Sequence, residues 1–332
     1  MIAVTEQAGR EPAHYGRRQA ITVVAGTWLV LGIFIDGWAH FNRPGLETFF
    51  TPWHGVLYSG ATALFGWLLL PTAGVSHRDR AWALAAAAIF TAGGLGDLLW
   101  HSVFGIETGL SALVSPTHLL LLLGGLIGVT APVRERHDQR PDGFKATFPV
   151  LGAVTLAAAL AAFFLLYVSP FATDAPAVAL TAIPEGTPGH EEAEAPAVTG
   201  LAGYLVSTVL VVLPLLLLRV RGVLPFGAVT VLVTTIALLS SGVAEFGQPA
   251  APAAALVAGL VADSIVRAGR VLAESVQFLL VGAVVPLTLW TAQLGALALT
   301  TGVRWPAELV VGVVVLSVML GTALGLGASA RS

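Results

Sequence analysis

The sequence predicts an all-α membrane protein, a polytopic bundle of about ten transmembrane helices with both termini in the cytoplasm. The first observation is composition: 56% of the residues are hydrophobic, 11% are charged, and the mean hydropathy is +0.85. Such a chain is typical of proteins whose main partner is the lipid bilayer, not nucleic acid. The second observation is a series of apolar segments, and the third is the placement of basic residues between them.

The apolar segments are near the length that a helix needs to cross the hydrocarbon core, about twenty residues. In chain order they are 20–40, 53–74, 82–103, 117–133, 148–169, 200–218, 225–246, 251–265, 274–298 and 305–328. The segment 251–265 is the shortest, and its length alone does not decide whether it fully spans. We include it because of the charge pattern.

Lysine and arginine concentrate in the short loops on the cytoplasmic side of a membrane. With the segment 251–265 counted as a helix, all of the 16 basic residues except Arg43 and Arg304 fall on that side. Leaving this helix out would move an arginine pair to the outer side. The pattern therefore favours ten helices, which we expect in the cytoplasmic membrane of a bacterium.

An acidic, proline-rich stretch divides the chain into two halves. Residues 170–199 contain no lysine or arginine and carry five acidic side chains: Asp174, Glu185, Glu191, Glu192 and Glu194. This composition predicts a mobile extracytoplasmic loop. The loop separates an N-terminal five-helix half, 1–169, from a C-terminal five-helix half, 200–332.

Two segments of the N-terminal half repeat one pattern of metal-capable side chains. The first contains Asp36, His40, Glu47, Thr48, Pro52 and His54, and the second contains Asp97, His101, Glu107, Thr108, Pro116 and His118. In each segment the aspartate precedes the first histidine by four residues, so the two side chains share one face near the outer end of a helix.

The second histidine of each segment follows a helix start signal. Thr51 and Ser115 each precede a proline, and a hydroxyl residue at the N-cap with proline at the first helical position is typical of a helix N-terminus. His54 and His118 therefore lie about one turn inside a return helix. The predicted metal ligands form two trios: Asp36, His40 and His54, and Asp97, His101 and His118.

These residue types restrict the metal. The chain has no cysteine and only two methionines, so thiolate sites are excluded and a sulfur-based copper(I) relay is disfavoured. Imidazole and carboxylate suit copper, iron, zinc or manganese. Three protein ligands also leave positions for water, dioxygen or substrate.

Three further carboxylates are candidates for supporting the ligands or relaying protons: Glu47, Glu107 and Glu245. The first two follow the Asp-His pairs in loops, where carboxylates are ordinarily solvated. Glu245 lies near the outer end of the seventh helix. Asp263, at the inner end of the eighth, is expected to pair with Arg267.

The first segment resembles a copper motif of a known family. Its residues are Asp36, Gly37, Trp38, Ala39 and His40, followed by Thr48, Phe49, Phe50, Thr51, Pro52, Trp53 and His54. They are similar to the Asp/His/His motif in the C subunit of particulate methane and ammonia monooxygenases. The second segment resembles the neighbouring Asn/His/His motif of that subunit, in the same chain order.

The resemblance covers residues 36–120 and implies two adjacent copper sites near the extracytoplasmic face. It also implies oxidation of a small apolar substrate by dioxygen, with partner subunits or a homo-oligomer. Two features differ from the family pattern. Asp97 stands where an amide is usual, and ten helices exceed the number in that subunit.

Two other functions remain open from the residues alone. Paired intramembrane aspartates and histidines also suit a transporter or metal-handling protein that moves divalent ions or protons. Histidines on facing helices also suit a haem-binding electron carrier, although the aspartates then have no clear role.

Overall fold

The structure is a computed structural model, and it describes residues 2–43, 50–72, 75–105, 110–135, 144–222 and 224–330. Throughout these ranges the ordered elements are helices, and no β-strand is present. The all-α prediction is confirmed for this part of the chain.

The chain divides into two compact units, Met1–Phe164 and Leu165–Ser332. In the first unit the described helices are α1 (Ile2–Asn42), α2 (Pro52–Leu69), α3 (His77–Phe104), α4 (Leu110–Val114), α5 (Pro116–Val129), α6 (Ala131–Arg134) and α7 (Phe144–Phe164). In the second unit they are α8 (His190–Val220), α9 (Ala228–Val243), α10 (Ala250–Ala268), α11 (Glu274–Thr300) and α12 (Ala307–Ser329).

Seven helical segments in the described ranges are long and apolar enough to cross a membrane. They are Gly16–Asn42, His77–Phe104, Thr147–Phe164, His190–Val220, Ala250–Val271, Glu274–Thr300 and Ala307–Ser329. These segments indicate an integral membrane protein. The other three apolar segments lie on α2, α5 and α9, which are shorter or less apolar, so the count of ten spans and the side of the termini remain predictions.

Two helix pairs form the framework of the first unit. α1 packs along α2, α3 packs along α5, and α7 lies against both α1 and α5. Glycines permit these close approaches. A Cβ atom added to Gly60 would lie 2.7 Å from the backbone nitrogen of Leu29, and one added to Gly124 would lie 2.7 Å from that of Phe90. Small residues at such crossings let membrane helices approach until their backbones touch.

A buried cluster of charged side chains lies at the end of the first unit away from the histidines of the two trios. The guanidinium Nη2 of Arg18 lies 3.8 Å from Oε1 of Glu135 and donates to the carbonyl oxygen of Leu68 at 3.2 Å. Burial raises the pKa of the Glu135 carboxyl, and the charge of Arg18 opposes that shift. The cluster ties the start of the first span to the ends of α2 and α6.

The stretch 170–199 contacts helices of the second unit through its backbone. The carbonyl oxygen of Pro170 accepts from Gln293 Nε2 at 3.0 Å, and that of Phe171 accepts from Ser241 Oγ at 3.0 Å. A 3-10 turn follows at Ala175–Ala177. α8 begins at His190, so residues 190–199 are helical and do not belong to the predicted loop. The side chains of Gln293 and Ser241 thus fix the first residues of this stretch.

Asp263 does not pair with Arg267 as expected. Its carboxylate accepts hydrogen bonds from Val229 N at 3.2 Å, Thr230 N at 2.9 Å and Thr230 Oγ1 at 2.6 Å. These donors belong to the first turn of α9, where backbone N–H groups lack partners within the helix and the helix dipole favours a negative charge. Arg267 instead lies over the ring of Phe226, 5.6 Å from its centroid.

Candidate metal centre

The first trio assembles at the contact between α1 and α2. Asp36 and His40 lie in the last two turns of α1, and the carboxylate Oδ2 is 3.7 Å from His40 Nε2. His54 lies in the first turn of α2, where Thr51 Oγ1 caps the helix by accepting from the His54 backbone N–H at 3.1 Å. The predicted cap is confirmed. The same Asp36 oxygen is 3.4 Å from His54 Nε2.

The second trio repeats this arrangement between α3 and α5. Asp97 and His101 lie in the last two turns of α3, with Asp97 Oδ1 3.4 Å from His101 Nε2. Ser115 caps α5 by accepting from the His118 backbone N–H at 3.3 Å, as predicted. Asp97 Oδ1 is 3.6 Å from His118 Nε2. Within each trio, one ligand atom per residue lies within 4.8 Å of the other two, so both trios form groups that can hold a metal ion.

The distances within the trios suit coordination better than direct hydrogen bonding. The oxygen-to-nitrogen separations of 3.4 to 3.7 Å exceed the usual N–H···O range of about 2.7–3.2 Å. Two ligand atoms bound tetrahedrally at about 2.0–2.1 Å from one ion are roughly 3.4 Å apart. The donor set of one carboxylate and two imidazoles therefore fits a metal ion between the three side chains.

One atom of the first trio supports this fit. Asp36 is buried, and its second oxygen, Oδ1, has no hydrogen-bond partner among the described residues. A buried carboxylate oxygen without a partner is costly, because it has lost its hydration without compensation. Coordination to a cation would remove that cost.

His101 is held in the orientation that presents its other nitrogen to the trio. Its Nδ1 lies 3.1 Å from the carbonyl oxygen of Gly105, so Nδ1–H donates and Nε2 keeps its lone pair. Gly105 ends α3 with a φ of 82°, a left-handed conformation that favours glycine. The helix end thus fixes both the ring and its tautomer.

A chain of hydrogen bonds does the same for His118. Ser115 Oγ lies 2.6 Å from His118 Nδ1 and 3.1 Å from Thr117 Oγ1, and Thr117 Oγ1 donates to Asp97 Oδ1 at 3.3 Å. One set of donors satisfies every member: His118 Nδ1–H to Ser115, Ser115 O–H to Thr117, and Thr117 O–H to Asp97. In this arrangement the Nε2 lone pair of His118 faces the carboxylate of Asp97, as a metal ligand requires.

Both trios line one cavity in the first unit. Its volume is about 60 Å³. The wall contains all six predicted ligands and is otherwise mostly apolar, with Ile33, Leu57, Phe90, Leu113, Leu121, Leu122, Phe163 and Phe164. The two candidate sites are therefore neighbours in a single cavity with a mostly apolar wall.

Sequence reasoning missed two residues of this site, Tyr58 and Thr117. Tyr58 lines the cavity, with its ring centroid 6.1 Å from that of His54. It follows His54 by four residues on α2, so helical spacing was the signal that could have found it. Thr117 is buried between Ser115 and Asp97, and nothing in the local pattern indicates that contact.

The three predicted supporting carboxylates have different positions. Glu47 and Glu107 lie outside the described residues. Glu245 is exposed, in the turn after α9 in the second unit, whereas the described cavity wall comes from the first unit. Any role for these residues remains a prediction.

No family model, no curated protein and no solved structure matches the chain.

Proposed function

We propose that this chain is a membrane metalloprotein that binds two copper ions, one in each trio, and oxidises a small apolar substrate with dioxygen. The observation that supports the proposal most strongly is that both Asp/His/His trios line the same cavity, at separations that suit coordination. Chance placement of six such side chains in one apolar chamber is disfavoured, because buried ionisable groups are costly in a membrane protein.

The ligand chemistry supports copper ahead of other metals. Two imidazoles and a carboxylate bind copper(II) strongly among the divalent first-row ions, and iron and zinc accept the same donors. The resemblance of both motifs to the C subunit of particulate methane and ammonia monooxygenases points to the same metal. The chain departs from that pattern at Asp97, whose carboxylate adds a negative charge that favours a cation in the second site.

The cavity wall supports a small apolar substrate. Phe90, Leu121 and Phe163 give the chamber an apolar surface, and its 60 Å³ matches a few heavy atoms more closely than a drug-sized ligand, which needs about 300 Å³ or more. Such substrates concentrate in the bilayer and reach a membrane site between helices. The same small volume argues against the haem alternative.

Each residue type has a defined task in this proposal. Bound copper supplies the one-electron chemistry that activates dioxygen, and an external reductant supplies electrons. The aspartates offset the charge of the ions, and the histidines fix their positions. Ser115 and Thr117 hold His118 in the tautomer that presents Nε2, and the wall around the ligands is mostly apolar. The charge pattern of the loops favours a site on the extracytoplasmic side.

Metal content of the purified protein tests the proposal. We expect about two copper ions per chain, with about one lost in His40→Ala and about one lost in His101→Ala, because each histidine serves a different trio. His77→Ala is a matched control, since His77 is an exposed histidine at the start of α3, outside the cavity. Protein that takes up no copper, or equal copper in all three variants, would rule the proposal out.

Oxygen consumption separates the enzyme from its alternatives. The copper-loaded protein should consume dioxygen when given a reductant and a short apolar substrate, and the His40→Ala variant should not. Metal-dependent ion flux across liposomes without oxygen consumption would instead indicate a transporter. A haem absorption band in the purified protein would indicate an electron carrier.

A further inference from the structure

A cationic pocket lies in the second unit, independent of the metal centre. Its volume is about 400 Å³, and its wall comes from the end of α8, the turn before α9, the end of α10 and the start of α11. The lining residues are Arg219, Gly222, Leu224, Val266, Arg270, Gln277 and Val281. Two arginines from separate helix ends therefore face one space.

The two arginines are held in place by neutral partners. Arg219 Nη2 donates to Gln277 Oε1 at 2.8 Å, and Arg270 Nη2 donates to the carbonyl oxygen of Leu224 at 3.1 Å. Gln277 in turn donates to the carbonyl oxygen of Arg270 at 3.1 Å. These contacts link the two turns and position the guanidinium groups, but they do not neutralise their charge.

Glu274, a carboxylate near this pocket, compensates little of the positive charge of the arginines. Glu274 Oε1 lies 3.8 Å from Arg219 Nη2, but the Glu274 side chain is 67% exposed, and such a pair contributes little. The carboxylate of Asp263 accepts hydrogen bonds from the first turn of α9, so it does not pair with these arginines. Arg219 Nε is buried and has no hydrogen-bond partner among the described residues.

Exposed apolar side chains lie next to the two arginines of the pocket. Val271 is 91% exposed, and Leu272 and Val220 are nearly half exposed. All three lie beside the turns that carry the arginines. The excess of arginine at this end predicts that it faces the cytoplasm, where anionic lipid headgroups collect.

We infer that this pocket binds a phosphate group through the guanidinium groups of Arg219 and Arg270. Guanidinium forks match phosphate oxygens in two-point hydrogen bonds. Gln277 supports this arrangement by accepting a hydrogen bond from Arg219 Nη2. If the exposed side chains of Val220, Val271 and Leu272 contact lipid acyl chains, the phosphate is that of an anionic lipid headgroup. If they do not, the phosphate is that of a soluble anion.

Binding to the purified full-length chain in a neutral detergent tests the site. Three probes are compared by equilibrium dialysis: short-chain phosphatidylglycerol, short-chain phosphatidylcholine and inorganic phosphate. We expect saturable binding of phosphatidylglycerol, weakened about tenfold or more for each arginine removed in Arg219→Gln and Arg270→Gln. Tighter binding of phosphatidylglycerol than of inorganic phosphate identifies a lipid headgroup, and equal binding identifies a soluble anion.

Arg267→Gln is the matched control, because Arg267 lies near the same helix end but over Phe226, outside the pocket wall. It should bind phosphatidylglycerol as the unaltered chain does. Because Arg270 is exposed, Arg270→Gln should fold even if Arg219→Gln does not. The inference is wrong if neither phosphatidylglycerol nor phosphate binds saturably, if phosphatidylcholine binds as tightly as phosphatidylglycerol, or if Arg270→Gln binds phosphatidylglycerol unchanged.

Discussion

The imidazole rings of His40 and His101 lie nearly parallel, with 13° between their planes and 6.5 Å between their centroids. One ring belongs to each trio, so this pair is where the two proposed metal sites meet. Both rings line the same cavity, and each belongs to a separate trio.

Removing the carboxylate of the first trio should empty that site alone. Asp36 Oδ2 approaches both His40 and His54, so Asp36→Ala removes the anionic ligand and leaves two neutral imidazoles. We expect copper content to fall by about half, and His54→Ala to have a similar effect. Elemental analysis of the purified variants checks this, with membrane insertion measured in parallel. Full copper content in both variants would contradict the assignment.

Ser115→Ala should weaken the second site without removing a ligand. Its hydroxyl caps α5 and also holds His118 Nδ1, so we expect a loss of about 1 kcal/mol in stability and about a 10- to 100-fold loss in metal affinity. Thr51→Ala is the matched control, because Thr51 Oγ1 caps α2 by accepting from the His54 backbone N–H at 3.1 Å. Thermal unfolding and copper titration measure the two effects. Equal loss of copper affinity in both variants would show that the ring contact has no such role.

Gly60→Ala should force α1 and α2 apart. The added Cβ would lie 2.7 Å from Leu29 N, and overpacking of this kind costs about 1–3 kcal/mol. Because the same helix pair brings Asp36 to His54, copper binding at the first trio should weaken as well. Gly66→Ala, on the same helix with open space at its Cβ, should be neutral or slightly stabilising. Unfolding midpoints and copper content of the two variants provide the comparison.

Asp263→Ala should destabilise the second unit. The carboxylate satisfies two backbone N–H groups and one hydroxyl at the start of α9, and leaving buried donors unpaired costs about 1–3 kcal/mol. The neighbouring Ser264→Ala alters an exposed hydroxyl that bonds within its own helix, so its effect should stay within about 0.5 kcal/mol. Thermal unfolding in detergent distinguishes them. Similar midpoints for the two variants would mean that the cap contributes little.

The sequence by itself determined the features that depend on local spacing. The apolar segments gave the helices, including α10 at the doubtful segment 251–265, because an apolar run of that kind in lipid satisfies its backbone only as a helix. The four-residue step from Asp36 to His40 fixed their common face, and Thr51 and Ser115 fixed the starts of α2 and α5.

Only the tertiary structure decided how these elements meet. The approach of His54 to Asp36 depends on the contact of α1 with α2, and the shared cavity depends on how that pair packs with α3, α5 and α7. The prediction that Asp263 pairs with Arg267 was wrong for the same reason. Arg267 is one helical turn away, but the carboxylate of Asp263 instead accepts hydrogen bonds from the backbone N–H groups of α9. Helical periodicity specifies which residues share a face, but contacts between distant segments follow from backbone packing that no local pattern records.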